Sequence, residues 1–441
     1  MFGLARKFFV PRANPIGVDF GSDGLRLAQV RYEGGDYRLI AAASADVPSH
    51  VRHDSAARLA FFVQTTRDLL AQGNFAGRQA VLSLPASMMF IQHLRMAKMD
   101  EQSTLKALPW EAAGKLPIDP SVALMRHIVA GEIYADQEPR QEIILMAASR
   151  EAVNQLLGAA GRAKLDVVGM NIESKAVVDC FGHIYRRKTD QEVTNCFVDI
   201  GCAATRVCIA RGEHILLARA IPVGGDHLTR AVAEAMGLRF EEAKMLRIKL
   251  ATAQAATVET PAQAAVRQET TEENRFALLS AGLRAGEAGE GWMRRVEDGE
   301  GNPNGRFGGA VSAEEEPEPM DRGVADVLSQ GSAVEEACGG LTGKLVEELD
   351  LCRRYYETTF PSHGVDRLIF VGGEARQRAL CQRIARGMGL TAQVGDPLVR
   401  MGRTSEVGIE SGIDRRQSQP AWAVAIGLSL GPVGLRNEVR V

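Results

Sequence analysis

Gly17-Val18-Asp19-Phe20-Gly21-Ser22-Asp23-Gly24-Leu25-Arg26-Leu27-Ala28-Gln29-Val30 returns 180 residues later, without a gap, as Phe197-Val198-Asp199-Ile200-Gly201-Cys202-Ala203-Ala204-Thr205-Arg206-Val207-Cys208-Ile209-Ala210. Val, Asp, Gly and Arg recur at the same four places, and apolar residues match at others. Each copy reads as a strand, a tight glycine turn and a second alternating strand, the signature of a β-hairpin. An internal repeat at this separation predicts two similar domains facing each other.

Outward from the repeat, buried strands are predicted at 79–85, 142–148 and 165–171, with helical patterns at 57–71 and 150–163. Strands alternating with helices point to an α/β fold. A small extra unit occupies about 90–146 and contains a helix-like stretch at 101–115. The second half continues with helices near 227–236 and 240–250. From about 252 to 333 the chain is rich in Ala, Glu, Gly, Thr and Pro, as in Val296-Glu297-Asp298-Gly299-Glu300. Its apolar anchors are too few to offset the entropy of ordering, so this acidic insertion is expected to be disordered. Leu341, Leu345, Leu349, Cys352 and Tyr356 then form a helical stripe. A strand at 367–371 ends in Gly372-Gly373 before helix-like 376–388. Pro420 opens a last helix of small and apolar residues, 420–430, a candidate to pack back on the first domain. The expected domains are 15–185 and 190–430.

Composition narrows the function. At 441 residues the chain exceeds a single core. A net charge of -3 supplies no field for nucleic acid. No apolar run approaches the roughly 18 residues that span a bilayer, and Met1 to Val10 lacks the apolar core of a secretory signal. Seven scattered cysteines include no Cys-x-x-Cys pair, and the eight histidines include no His-x-x-x-His pair. Neither a disulfide framework nor a zinc site is indicated, and a reducing cytoplasm is expected.

A phosphate chain needs backbone N–H groups aimed at it, which glycine turns present without an obstructing Cβ. Gly21, Ser22 and Gly24 would form one cradle, and Gly201 to Thr205 the other. A divalent cation held through water needs carboxylates, and Asp19 and Asp199 each stand two residues before a turn glycine. Arg26 would add positive charge. Alternatively each Asp-x-Gly simply shapes its own hairpin. Two copies in register, followed by a Gly-Gly strand end, favour a nucleotide clamp. Neither copy is a Walker loop or a Gly-x-Gly-x-x-Gly fingerprint.

Asp19-Phe20-Gly21-Ser22, Asp199-Ile200-Gly201, Gly224-Gly225-Asp226-His227-Leu228-Thr229 and Val371-Gly372-Gly373 stand in the order of the phosphate loops, connector and adenosine motif of actin-like ATPases. Within that superfamily the chain resembles the PilM family of pilus-assembly proteins, which is related to FtsA. Trp110-Glu111-Ala112-Ala113-Gly114-Lys115-Leu116-Pro117, the Gly-Gly-x-x-Leu-Thr segment with Phe240-Glu241-Glu242-Ala243, and Ala425-Ile426-Gly427-Leu428 carry the likeness. It covers about 15–250 and 334–430.

The resemblance implies an actin-like fold: two ribonuclease-H-like domains around a cleft for ATP and Mg²⁺, with a small inserted subdomain. Gly224 and Gly225 belong to the phosphate-binding connector, and Gly372 and Gly373 would pass the adenosine. Glu241, Lys244 and Arg247 share helical spacing and would reach the base or ribose, or else form an exposed charged face. Glu173 matches an acidic position that orients a water in several relatives, or else caps the helix that follows. The implied partner is the cytoplasmic tail of a PilN-like inner-membrane protein. That places the chain at the inner face of the inner membrane, peripheral through its partners, with self-association a further expectation. Trp110 to Pro117 is a candidate contact, although core packing is the expected role of Trp110 itself.

The chain departs from the family pattern at three places. Cys202-Ala203-Ala204 leaves Thr205 as the second loop's only hydroxyl, Arg26 replaces the usual Lys, and Glu374 to Arg378 replace an apolar segment. A nucleotide binder, at most a slow ATPase, is expected. The alternatives are a small-molecule kinase, for which no acidic residue has a kinase context, and an FtsA-like membrane-tethered filament. For the latter, Gly431 to Val441 is poorly patterned and Phe8-Phe9-Val10 is a weak anchor.

Overall fold

A computed structural model describes residues 13–135, 138–257, 322–403 and 412–434. The interior of the 252–333 insertion, the Phe8-Phe9-Val10 segment and the extreme C-terminus lie outside the described residues. Residues Met1–Met245 and Glu335–Val441 form one compact unit. Leu246–Val334 form a second, described only as the helical stretches 246–257 and 322–334.

The compact unit is built on two related sheets. The first joins β1 (Ile16–Phe20), β2 (Gly24–Glu33), β3 (Asp36–Asp46), β4 (Gln79–Leu84), β8 (Asp166–Ile172) and β14 (Gly402–Arg403) in the order β14-β3-β2-β1-β4-β8. The second joins β9 (Thr194–Ile200), β10 (Thr205–Arg211), β11 (His214–Ile221), β12 (Arg367–Val371) and β13 (Thr391–Val394) in the order β11-β10-β9-β12-β13. In each, a three-strand antiparallel meander is extended from its first strand by parallel strands. Every residue of the central strands β1 and β9 is buried. Such strands, covered on both faces, are driven inward by their apolar residues, Ile16, Val18 and Phe20 in β1 and Cys196, Phe197, Val198 and Ile200 in β9.

The sequence repeat is therefore a structural one. Asp19 pairs with Arg26 across the first hairpin and Asp199 with Arg206 across the second. The Gly21 N–H donates to the Gly24 carbonyl at 2.9 Å, and at the matching place the Gly201 N–H donates to the Ala204 carbonyl at 3.0 Å.

A smaller sheet of β5 (Met89–Ala97), β6 (Ala123–Ala135) and β7 (Glu138–Ser149), in the order β5-β7-β6, carries α2 (Glu101–Ala112). This inserted unit runs slightly beyond the expected 90–146, and its helix stops three residues before Lys115. The other helices are α1 (Ser55–Gln72), α3 (Arg150–Arg162), α4 (Glu173–Gly182), α5 (Lys188–Glu192), α6 (Gly225–Met236), α7 (Phe240–Thr257), α8 (Arg322–Thr359), α9 (Arg378–Met388) and α10 (Ala423–Gly434). Asp54 caps α1 by accepting from the N–H groups of Ala56 and Ala57. Leu345, Leu349, Cys352 and Tyr356 form the buried stripe of α8. The flanks of the expected insertion, 252–257 and 322–333, are helical rather than irregular.

The last helix lies on the first sheet. Ser429 holds it there: its hydroxyl donates to the Pro15 carbonyl at 2.7 Å and accepts from the Val30 N–H, while its carbonyl accepts from the Asn14 side chain. Trp422, Ile426 and Leu428 join Ala176, Val177 and Phe181 of α4 in one core. This packing fixes α4, and with it Glu173, beside the central strands.

Candidate functional site

The two loops, α4 and the Gly372-Gly373 turn converge on one cleft. Asp19, Gly21, Ser22, Arg26, Glu173, Asp199, Gly201, Gly372 and Gly373 all line it, with Asp23, Cys202 and Arg206. The space at its centre is about 30 Å³, room for a few waters.

Asp19 is buried at the end of β1, and its Oδ1 accepts from the Ser83 hydroxyl at 3.2 Å. Burial raises its pKa to about 6 against the lowering fields of Arg26 and Arg206. Arg58 braces the first loop from behind, donating to the carbonyls of Gly21 and Ser22 at 3.2 and 3.3 Å while covering the Phe20 ring.

Asp199 is held differently. Its Oδ2 accepts from Arg206 Nε and Nη2, each at 2.8 Å, and Arg206 Nε also stands 3.4 Å from Glu173 Oε2. Burial alone would lower the Arg206 pKa, but the carboxylates of Asp199 and Glu173 outweigh it and keep the guanidinium charged. Glu173 is the first residue of α4, and the helix shows no side-chain cap. Its carboxylate stands in the first turn of the helix and faces Arg206, and it also bonds the Ala86 backbone. Burial raises its pKa to about 7.

Several expected residues stand behind the cleft. The Thr205 hydroxyl is buried and donates to the Val223 carbonyl at 2.7 Å. Gly225 and Asp226 donate their N–H groups to the carbonyls of Gly201 and Cys202, so the connector shapes the second loop. Gly24 closes the first turn from outside the lining. Glu241 and Lys244 lie on α7 outside the residues that line the cleft, Glu241 exposed and Lys244 partly so. Arg247, on the same helix, belongs to the second unit. Gly372 has φ 88°, and a Cβ there would lie 2.4 Å from Asp199 Oδ1. Its need for glycine thus comes from the protein's own loop as well as from any ligand.

Arg206, Arg52 and Arg58 were not among the expected site residues. Arg206 carried a signal, being the repeat's counterpart of Arg26. Arg52, which meets Asp226 at 3.5 Å and Cys202 Sγ at 3.6 Å, carried none. Cys202 is partly exposed, and burial raises its thiol pKa, which disfavours a nucleophilic role.

A larger groove of about 270 Å³ lies next to the cleft and shares Glu173 and Arg206 with it. Met89, Phe90, Lys115, Leu116, Pro117 and Arg219 contribute to its walls. Trp110 is 82% exposed, so its expected role in the core is overturned. The buried face of α2 is Thr104, Leu108 and Ala112, and Trp110 points away from it.

Mg²⁺ takes oxygen ligands in octahedral geometry and usually keeps several waters. Among the described residues no group of three or more His, Cys, Asp or Glu side chains is placed to hold a metal. Asp19 has no ion pair within 4.0 Å among the described residues, which suits a water-mediated cation, whereas Asp199 Oδ2 is committed to Arg206.

The family model described as Type IV pilus assembly protein PilM matches residues 17–281. The one described as Cell division protein FtsA matches residues 196–427. Among solved structures, a PilM-PilN type IV pilus biogenesis complex is similar at 18% identity and a TM-score of 0.66, covering 96% of this chain and 99% of that one. The ethanolamine utilization protein EutJ from Carboxydothermus hydrogenoformans shares 14% identity with a TM-score of 0.46, covering 95% of this chain and 90% of that one. The first likeness establishes the actin-like fold: two ribonuclease-H-like domains about a cleft, with an inserted small subdomain.

Proposed function

The chain belongs to the PilM family of type IV pilus assembly proteins, and from that premise we propose that it is an ATP-binding adaptor at the inner face of the inner membrane. The convergence of the Asp19 and Asp199 loops with Gly372 on one cleft carries the nucleotide reading. Nucleotide would lie between the loops, with Arg26 near its phosphates and Gly373, which has open space around it, beside the adenosine. Mg²⁺ would supply countercharge to the phosphates, Asp19 orienting its waters. Glu241 and Lys244 are kept as proposed base or ribose contacts.

Binding is favoured over fast turnover. The Thr205 hydroxyl is engaged by Val223, and the Arg206 guanidinium stands 3.4 Å from the Glu173 carboxylate. The halves 15–185 and 190–430 would then report the nucleotide state by their separation.

The partner is the cytoplasmic tail of a PilN-like inner-membrane protein. Exposed Trp110 and the groove at Lys115 to Pro117 are the proposed contact. Among the described residues no helix is long and apolar enough to cross a membrane, consistent with attachment through that partner. Titrating a fluorescent synthetic tail peptide into the full chain, with and without ATP, tests the reading. Saturable micromolar binding is expected, and absence of binding under both conditions would refute the adaptor role. Self-association is a second reading, which sedimentation with and without ATP decides.

A further inference from the structure

The two hairpins are alike in sequence but not in the company their aspartates keep. Asp199 and Arg206 face each other across β9 and β10 and meet at 2.8 Å. Asp19 and Arg26 face each other at the equivalent place in β1 and β2, yet among the described residues no ion pair within 4.0 Å joins them. Arg26 instead folds over the turn, its Nη1 only 3.1 Å from where a Gly24 Cβ would stand. Arg206 lies across the cleft floor, its Nη2 2.9 Å from where a Gly201 Cβ would stand, and reaches Glu173 on α4. Its side chain is 18% exposed, between carboxylates that are 6% and 5% exposed. A guanidinium in that position supplies the positive charge that a metal would otherwise bring to Asp199.

We infer that the loops have divided their roles: Arg206 is the built-in counter-cation of Asp199 and Glu173, so Asp199 holds the second loop in shape, and Asp19 alone is left to meet a divalent cation carried in with phosphate. The cation part rests on the nucleotide reading proposed above. The structural part does not.

Two measurements on the full chain test the division. In thermal melts at pH 8, Asp199→Asn is expected to lower Tm by about 5 °C or more, because it strips Arg206 of its closest partner. Asp19→Asn is expected to leave Tm unchanged or raise it, since it removes a buried charge with no ion pair. Equal losses in both variants, or the reverse order, overturn the inference. Arg206→Gln and the double variant with Asp199→Asn complete a cycle, in which the double loss should be clearly smaller than the sum. Additive losses again overturn it.

The second measurement titrates a fluorescent ATP analogue in Mg²⁺ or in EDTA. Asp19→Asn should weaken binding at least tenfold in Mg²⁺ but by less than about threefold in EDTA, whereas any loss in Asp199→Asn should be of equal size in Mg²⁺ and in EDTA, as a loop-shape role requires. A loss in Asp199→Asn that is confined to Mg²⁺ overturns the division of roles. If the parent binds no nucleotide, the nucleotide reading and the cation role of Asp19 both fail, while the melts still decide the structural role of Asp199.

Discussion

Gly372 stands directly over Asp199, so close that a Cβ at residue 372 would lie 2.4 Å from the carboxylate Oδ1 and 2.5 Å from the Ile200 carbonyl. The backbone reaches this position with φ 88° and is pinned there by the Gly372 N–H donating to the Pro420 carbonyl at 3.0 Å. Gly372→Ala must therefore move β9 or abandon that conformation. Forcing a side chain into such a backbone region costs on the order of 1–3 kcal/mol before any clash. Urea unfolding should show a loss of at least about 2 kcal/mol, and a loss below about 0.5 kcal/mol would contradict the packing described.

Glu173 makes stability depend on pH. Its folded pKa of about 7 lies above the ordinary 4.5, so the native state holds a proton that the unfolded chain has released. The native fold consequently loses stability relative to a neutral side chain as pH rises from 4.5 through 7. Glu173→Gln should melt like the parent at pH 4.5 and above it at pH 8, the gain approaching about 3 kcal/mol. A gain that is as large at pH 4.5 as at pH 8 would show that Glu173 is not protonated on burial.

The hairpins were legible because a tight turn and its ladder are local: the aspartates, glycines and alternating strands occupy one short window each. Arg206 was visible in the same window, but its chemistry depends on Glu173, which tertiary packing of α4 brings to it. Trp110 was misread although the spacing held the answer. Thr104, Leu108 and Ala112 recur every four residues and define the buried face, which residue 110 misses by half a turn. Ala-rich stretches such as Ala251 to Ala256 look like low-complexity sequence, yet Ala is the strongest helix former and α7 continues to Thr257.

Trp110 offers a clean separation of binding from folding. Its ring is 82% exposed, so Trp110→Ala should shift stability by no more than about 0.5 kcal/mol. Exposed aromatic anchors dominate many interfaces, and truncating one commonly costs 2 kcal/mol or more. Affinity for the partner's tail peptide, followed by fluorescence anisotropy, should fall at least about tenfold. Unchanged affinity would move the contact away from α2.

Glu142 is the hub that ties the inserted unit to the second half. It is wholly buried on β7 and accepts from His93 Nδ1 at 3.0 Å, from Arg95 Nε at 3.3 Å and from the Tyr355 hydroxyl on α8. His93 reaches on through Nε2 to the Ala218 carbonyl of β11 at 3.2 Å. Burial pushes the Glu142 pKa up, but the bonds from His93 and Tyr355 with the charge on Arg95 outweigh it, leaving the pKa below the ordinary value. A depressed carboxylate pKa stabilises above the unfolded value and loses that contribution as pH falls through the folded one. Glu142→Ala should cost about 3 kcal/mol near neutral pH, because His93 and Arg95 lose a shared buried partner. The deficit should shrink in acid, where the parent's own carboxylate becomes protonated. Hydrogen exchange should quicken in β5 to β7 more than in β1 or β9, since the bonds lost are those that dock the small sheet. Uniform acceleration across all three sheets would mean that Glu142 supports the whole core rather than this junction.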